Sequence, residues 1–148
     1  ASGNIHQTLK DLASKYESVI ADTAGRDSRE LRTGMTVADV LISPARPSQY
    51  DLDTLPHLAE VYSQAKDLNP KLAGYLVLNL CPTNPVIKEV AAAQEFLADY
   101  PEFKLANTLV YDRKAYRDAI SEGKSVLEWT DAKAKHEIEA LVGEIING

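Results

Sequence analysis

The chain contains 148 residues and carries a net charge of −6, with a pI near 5.0. Apolar residues make up 45% and charged residues 26%, which is typical of folded domains and excludes a disordered segment. No apolar run approaches the roughly 18 residues of a membrane span, and the N-terminus lacks the pattern of a secretory signal. Cys81 is the only cysteine, which excludes an internal disulfide. We expect one globular domain over residues 1–148, in the cytoplasm and without a membrane anchor.

Periodic apolar residues predict helices and strands that alternate along the chain. Helices are expected over residues 4–16, 28–37, 51–68, 86–97 and 131–146, with a further helix that ends near residue 123. Strands are expected over residues 18–22, 40–42, 73–80 and 105–111. Strands that are joined by helices of this length require parallel crossovers. The pattern therefore predicts an α/β fold with a doubly wound parallel sheet and helices on both of its faces.

Polar residues and turn residues follow the predicted strands, where ligands bind in such sheets. The first strand ends at Asp22, a carboxylate suited to Mg²⁺, and continues into Thr23 and Gly25. Because glycine has no Cβ, Gly25 allows the backbone to approach a phosphate closely. The ends of the later strands carry Pro44 and Pro47, then Asn79, then the segment 111–113. These strand ends form the candidate site.

The usual phosphate loop is missing from this pattern. No G-x-x-x-x-G-K-[ST] motif occurs in the 148 residues. Two interpretations follow from the residues alone. Either the chain lacks the first strand, loop and helix of a phosphate-binding domain, or Asp22 ends an ordinary strand as a turn or helix-cap residue.

The ordered set of these segments resembles the ParA/MinD family of ATPases, and most closely the ParA-type plasmid partition proteins. The resemblance lies in residues 19–28 (VIADTAGRDS), 38–44 (ADVLISP), 108–113 (TLVYDR) and 123–126 (GKSV), with Pro47, Ser48, Asp51 and Asn79 between them. It spans nearly the whole chain. It implies a P-loop NTPase-like fold whose first strand, loop and helix are missing, so that the chain begins after the Walker A region.

The resemblance also implies roles for individual residues. Asp22 would be the Walker B carboxylate that binds Mg²⁺, and Thr23 and Gly25 would belong to the switch segment that senses the γ-phosphate. Asp22 and Gly25 are thus the catalytic candidates. Asn79 would contact the base, and Pro44 and Pro47 would line the nucleotide or dimer face. The implied cofactors are ATP and Mg²⁺, although this chain without Walker A is expected to be inactive.

Members of the family form homodimers around ATP, and the resemblance implies the same assembly here. Such dimers bind DNA without sequence preference, and a partner partition protein stimulates their ATPase activity. This implies a bacterial cytoplasmic protein associated with the nucleoid. The candidate DNA-binding residues are Arg113, Lys114, Arg117 and Lys124.

Several alternatives stay open. Asp112 and Asp118 alternate with the basic residues after the last strand, so that stretch also fits a solvent-exposed, salt-bridged helix face. The acidic net charge does not favour general binding to nucleic acid. For the chain as a whole, one alternative is a non-catalytic α/β interaction or dimerisation domain. Another is a P-loop protein similar to cobyrinic acid synthase.

Overall fold

A computed structural model of the chain describes residues 3–24, 27–84 and 86–147. Two compact units share the chain: Ala1–Leu41 with Thr54–Gly74 forms the first, and Ile42–Asp53 with Tyr75–Gly148 forms the second. The expectation of a single domain therefore stays a prediction. In the described part of the chain, no helix combines the length and the apolar character needed to cross a bilayer.

Helices and strands alternate as the sequence predicts. The helices are α1 (His6–Ala13), α2 (Arg29–Met35), α3 (Gln49–Leu52), α4 (Leu55–Leu68), α5 (Glu89–Leu97), α6 (Lys114–Ser121) and α7 (Ala132–Asn147). A short 3₁₀ helix spans Val126–Glu128. The strands are β1 (Val40–Ala45), β2 (Ala73–Leu78) and β3 (Lys104–Leu105).

The three strands form one parallel sheet in the order β1-β2-β3. Tyr75 lies opposite Lys104 in the parallel pair of β2 and β3. At the start of β2, the Ala73 N–H donates to the Asp39 carbonyl at 2.9 Å. Beyond its end, the Asn79 N–H donates to the Ala45 carbonyl at 2.9 Å. Residue numbers increase along both strands from the first bond to the second, so β1 and β2 are parallel. The prediction of a parallel α/β sheet is confirmed.

The predicted first strand, residues 18–22, is wrong. No strand is assigned there, and no backbone hydrogen bond joins it to another described segment. Ile20 is 94% exposed and Val19 is 37% exposed. An extended apolar segment becomes a strand only where a neighbour pairs with its backbone groups, and the described residues supply no such neighbour.

The predicted last strand, residues 105–111, is interrupted. β3 covers only Lys104–Leu105, and Tyr111 then meets Cys81 in an isolated parallel bridge. Ala106 and Val110 still donate to the Leu76 and Leu78 carbonyls of β2. Between them, the backbone N–H groups of Asn107 and Thr108 donate to the Glu144 carboxylate instead. A side-chain acceptor on α7 thus replaces the sheet as hydrogen-bond partner.

The predicted helix over residues 51–68 is divided into α3 and α4. Pro56 lies in the first turn of α4, where its missing N–H costs no helical hydrogen bond. The predicted helix over residues 28–37 is confirmed as α2. Its N-cap is Ser28, whose Oγ accepts the Leu31 N–H at 3.1 Å.

Each unit has its own buried residues. In the first unit α1 packs closely on α2, because a Cβ on Gly34 would lie 3.3 Å from the Ile5 Cδ1. In the second unit Val77, Ala106 and Val110 are buried together, with Ile138 of α7 against them. α7 is therefore attached to the sheet through the strand ends that carry candidate residues.

Candidate functional site

Asp22 lies in the exposed segment that follows α1. The segment and the inner face of α1 line a cleft of about 490 Å³, which includes Asp22, Thr23 and the apolar side chains of Leu9 and Leu12. The Asp22 side chain is exposed, and Thr23 is half-buried. Gly25, the other catalytic candidate, lies outside the described residues. Asp22 is the exposed carboxylate of the cleft, and Glu30, which also lines it, accepts the Gly3 N–H.

One exposed carboxylate is a partial metal site. Mg²⁺ requires near-octahedral oxygen coordination and usually combines one or two carboxylates with water and substrate phosphates. Among residues 3–24, 27–84 and 86–147, no group of three or more His, Cys, Asp or Glu side chains is arranged to hold a metal. The chemistry of Asp22 therefore fits a Mg²⁺ that is also bound by a phosphate, and does not fit a metal held by protein ligands alone.

The start of α2 is fixed by an ion pair that the sequence analysis missed. Arg32 donates to both Asp27 oxygens at 2.7 Å, and also to Gln64 of α4 at 2.8 Å. His57 Nε2 lies 3.1 Å from the second Asp27 oxygen. The hydrogen bond from Arg32 is the main cause that lowers the pKa of the Asp27 carboxyl. The separation of 30 residues between Asp27 and His57 gave no local signal for this contact.

Pro44 and Pro47 lie in different environments at and just after the end of β1. Pro44 is exposed near the end of β1, whereas Pro47 is buried. The Arg46 N–H between them donates to the Asp51 carboxylate at 2.9 Å, which fixes the turn into α3. Pro47 also lines a cleft of about 370 Å³ with Phe96 and neighbouring residues of α3 and α5.

Asn79 occupies a constrained turn directly after β2. Its Oδ1 accepts the Leu80 N–H at 2.8 Å. Leu80 has φ = 53°, a left-handed conformation that costs a branched residue about 1–2 kcal/mol. The Asn79 amide nitrogen has no protein partner among the described residues, so its N–H groups are free to donate to a ligand. Asn79 thus offers a free amide donor next to the strained Leu80, as contact with a base would require. That Asn79 contacts a base stays a prediction.

The next residue, Cys81, joins this turn to the neighbouring strand end. The Cys81 N–H donates to the Val110 carbonyl at 3.0 Å, and the Asp112 N–H donates to the Cys81 carbonyl at 2.9 Å. Cys81 is fully buried. Burial raises the pKa of its thiol to about 11, and the nearby charge of Glu137 adds to that effect. Cys81 is therefore a structural residue with an unreactive thiol.

Arg113 belongs to a buried network around Glu137, which sequence reasoning missed. Glu137 is 9% exposed, and its Oε1 accepts Arg113 N–H groups at 2.6 Å. Its Oε2 accepts the Tyr116 hydroxyl at 2.9 Å and the Tyr111 backbone N–H at 3.3 Å. Desolvation, followed by this hydrogen bond, raises the pKa of Tyr116. The charge of Arg113 is thus compensated inside the protein.

The other predicted DNA-binding residues lie on the surface in local pairs. Lys114 binds Asp118 at 2.8 Å, and Arg117 binds Asp112 at 2.6 Å. Lys124 lies 5.8 Å from the centroid of the Trp129 ring. This is the salt-bridged face that the alternating charges predict. Exposed ion pairs contribute little free energy, so phosphates can compete for these cations, and DNA binding by them stays a prediction.

Comparison with known proteins agrees with this geometry. The family model "ATPase MipZ" matches residues 2–69. A ParA family protein, MG470 of Mycoplasma genitalium, is 32% identical over 76 residues, which cover 51% of this chain and 28% of that protein. Maintenance of carboxysome distribution protein A of Halothiobacillus neapolitanus is 30% identical over 144 residues, covering 95% of this chain and 65% of that protein.

The parallel α/β sheet and the matched segments define the class as an α/β protein of the P-loop ATPase type. These similarities support a ParA/MinD-type family of P-loop ATPases for this chain. It spans between 28% and 65% of the length of these curated relatives.

Proposed function

We propose that this chain is part of a ParA-type ATPase that partitions or positions a cargo, such as a plasmid or chromosome, in a bacterial cell. The observation that carries the proposal is the similarity over 95% of the chain to a carboxysome distribution protein. That similarity includes the Asp22 segment, the Asn79 turn and the basic segment after residue 112. The proposed location is the cytoplasm, at the nucleoid.

In this proposal Asp22 binds Mg²⁺ of a bound Mg²⁺–ATP, directly or through water. Its exposed carboxylate and the adjoining cleft support that role, because a phosphate-bound Mg²⁺ has coordination positions left for one protein oxygen. Thr23 and Gly25 follow as the segment that senses the γ-phosphate. Hydrolysis also requires a phosphate loop, because its amides and lysine stabilise the transferred phosphoryl group. The 148-residue chain alone is therefore expected to be inactive.

Asn79 is proposed to contact the base of the nucleotide. Its amide N–H groups suit an acceptor nitrogen of adenine, while its Oδ1 holds the Leu80 N–H and fixes the side chain. Pro44 and Pro47 are proposed to border the nucleotide or the dimer face. A proline has no backbone N–H, so such a border is shaped by apolar contact.

ATP-dependent dimerisation and DNA binding complete the proposed cycle. A homodimer forms with ATP, binds DNA without sequence preference and is released when a partner protein stimulates hydrolysis. Lys114, Arg117 and Lys124 are the exposed cations proposed to contact phosphates. Arg113 would contribute mainly to the shape of this surface, since Glu137 already binds its guanidinium.

A second candidate is a non-catalytic interaction or dimerisation domain. Two observations favour it: the sequence contains no phosphate-loop motif, and the apolar segment around Ile20 is exposed and unpaired. Such a segment can pair with a strand of another chain. In this case Asp22 would be a surface residue without a metal.

Calorimetry separates the two candidates. Binding of ATP with Mg²⁺ is measured for the complete gene product, for Asp22→Ala and for Asp11→Ala, a control on exposed α1. The proposal predicts binding that depends on Mg²⁺ in the wild type and in the control. In Asp22→Ala the affinity falls or loses its Mg²⁺ dependence. If the wild type binds no nucleotide, the ATPase proposal is rejected and the interaction domain is favoured.

A further inference from the structure

Glu137 has more hydrogen-bond donors around it than attachment of a helix requires. Its two oxygens accept from a guanidinium, a phenol and a backbone N–H, all within 3.3 Å. Among the described residues it is the one charged side chain that is buried. A buried carboxylate with this many donors favours fixed positions for them, because the loss of any donor weakens the compensation of a buried charge.

Two of these donors lie on either side of Asp112. Tyr111 donates its backbone N–H, and Arg113 donates its guanidinium. Asp112 in turn donates its N–H to the Cys81 carbonyl, and Tyr111 forms the isolated bridge with Cys81. The carboxylate on α7 is therefore connected through one short segment to the residue that ends the Asn79 turn.

The Asn79 turn needs such support. Leu80 is held at φ = 53°, and this conformation persists only when surrounding contacts determine it. On the upstream side, the Asn79 N–H bond to Ala45 fixes the turn. On the downstream side, the two bonds of Cys81 to the 110–112 segment fix it. Glu137 is the side chain that anchors that segment.

We propose that Glu137 is a positioning residue for the Asn79 turn, and that it thereby sets how strongly the protein discriminates between nucleotide bases. The effect on base discrimination rests on the proposed function, in which Asn79 contacts the base. Glu137 itself touches no ligand in this proposal. It acts through Tyr111, Arg113 and Cys81 on the direction of the Asn79 side chain.

Glu144 provides a matched control on the same helix. It lies seven residues, or two turns, after Glu137, and it also accepts backbone N–H groups from the same loop. Its partners are Asn107 and Thr108, and no hydrogen bond between described residues joins these two to the Asn79 turn. A variant at Glu144 therefore weakens the attachment of α7 in a similar way without touching the 111–113 segment.

The first experiment needs no nucleotide and uses the 148-residue chain. Amide chemical shifts and hydrogen exchange are measured by NMR for wild type, Glu137→Gln and Glu144→Gln. Glu137→Gln should shift the Leu80 and Cys81 amides and speed Cys81 exchange by about tenfold relative to Leu76, which reports on the strand interior. Glu144→Gln should change the Asn107 and Thr108 amides and leave Leu80 and Cys81 unchanged.

Equal effects of the two variants on Cys81 would overturn the proposal, because they would show only that α7 supports the fold in general. The absence of any effect of Glu137→Gln on Leu80 and Cys81 would overturn it as well. Glu137→Asp, which keeps the charge, should restore part of the wild-type Cys81 protection. No restoration would contradict a role for the carboxylate itself.

The second experiment tests base discrimination in the complete gene product with Mg²⁺. The ratio of the affinities for ADP and inosine diphosphate should fall about tenfold in Glu137→Gln and stay unchanged in Glu144→Gln, while pyrophosphate binding is the same in all three. An unchanged ratio in Glu137→Gln overturns the discrimination role. If the wild type binds no nucleotide, the proposed function fails, whereas the exchange data still decide whether Glu137 holds the turn.

Discussion

Two segments of this chain have the same strand-like sequence pattern and different structures. Residues 18–22 and strand β2 are both short apolar runs that end next to a polar residue, Asp22 in one and Asn79 in the other. β2 is buried and has a neighbour on both sides. The segment at Asp22 is exposed, and no backbone hydrogen bond pairs it with another described segment. An apolar run alone therefore does not make a strand, and neighbouring strands decide whether it joins a sheet.

The same comparison separates the two candidate polar residues. Asn79 is fixed by the Ala45 carbonyl upstream and by the Cys81 bonds downstream. Asp22 lies beside the open cleft at α1 and has no such hydrogen bonds among the described residues. The Asn79 turn is therefore fixed within the protein, whereas only a ligand or a further strand would fix Asp22 in the same way.

The largest expected effect comes from the interior of β2. Leu76 is 1% exposed, so Leu76→Ala removes buried methyl groups and leaves a cavity. We expect a loss of about 3–4 kcal/mol in the free energy of unfolding, measured by urea denaturation. Leu68→Ala is the control, because Leu68 is 74% exposed. A loss below about 1 kcal/mol for Leu76→Ala would contradict the burial of β2.

A smaller effect is expected at Glu144, which draws the chain out of the sheet after β3. Glu144→Gln should cost about 1–2 kcal/mol near neutral pH, because hydrogen bonds to a charged acceptor are weakened. Desolvation raises the pKa of Glu144, but the bonds from Asn107 and Thr108 together outweigh it and lower the pKa.

The pH dependence of that difference follows from the lowered pKa. The carboxyl stays ionised to lower pH when folded, so its contribution is fully present above the ordinary glutamate pKa of about 4.3. It is lost as the pH falls through the lower folded value. Urea denaturation of wild type and Glu144→Gln from pH 7 to pH 3 should show the two stabilities converging. A difference that grows on acidification would contradict the assignment.

The smallest effect is expected in the unpaired segment. Ile20→Ser should change the free energy of unfolding by no more than about 0.5 kcal/mol, because the side chain is 94% exposed. Thermal and urea unfolding of the 148-residue chain measure this change. A loss of more than about 1.5 kcal/mol would show that Ile20 is buried and would break the comparison with β2.

Local signals in the sequence were sufficient for the elements that depend on nearby residues. The run of apolar residues predicted β2, the pattern over residues 28–37 predicted α2, and the alternation of helices and strands predicted a parallel α/β sheet. Contacts between distant residues gave no such signal. Glu137 and Arg113 are 24 residues apart, and Glu144 and Asn107 are 37 apart, so neither spacing marks a pair.

These distant contacts also explain what the sequence left open at the candidate site. Arg113 has a side chain that commonly binds phosphates, but here the buried carboxylate of Glu137 binds it. Residues 105–111 have the composition of one strand, but two glutamates of α7 accept the backbone N–H groups of Asn107, Thr108 and Tyr111. In both cases a tertiary acceptor competes with the local preference.

Residue-resolved amide hydrogen exchange of the 148-residue chain tests most directly the claim that the two strand ends differ. The account predicts that residues 19–24 exchange at nearly the rate of an unfolded chain, whereas Leu76–Leu78 and Cys81 are strongly protected. Protection of residues 19–24 comparable to that of β2 would contradict it, because that segment would then be hydrogen-bonded in a sheet.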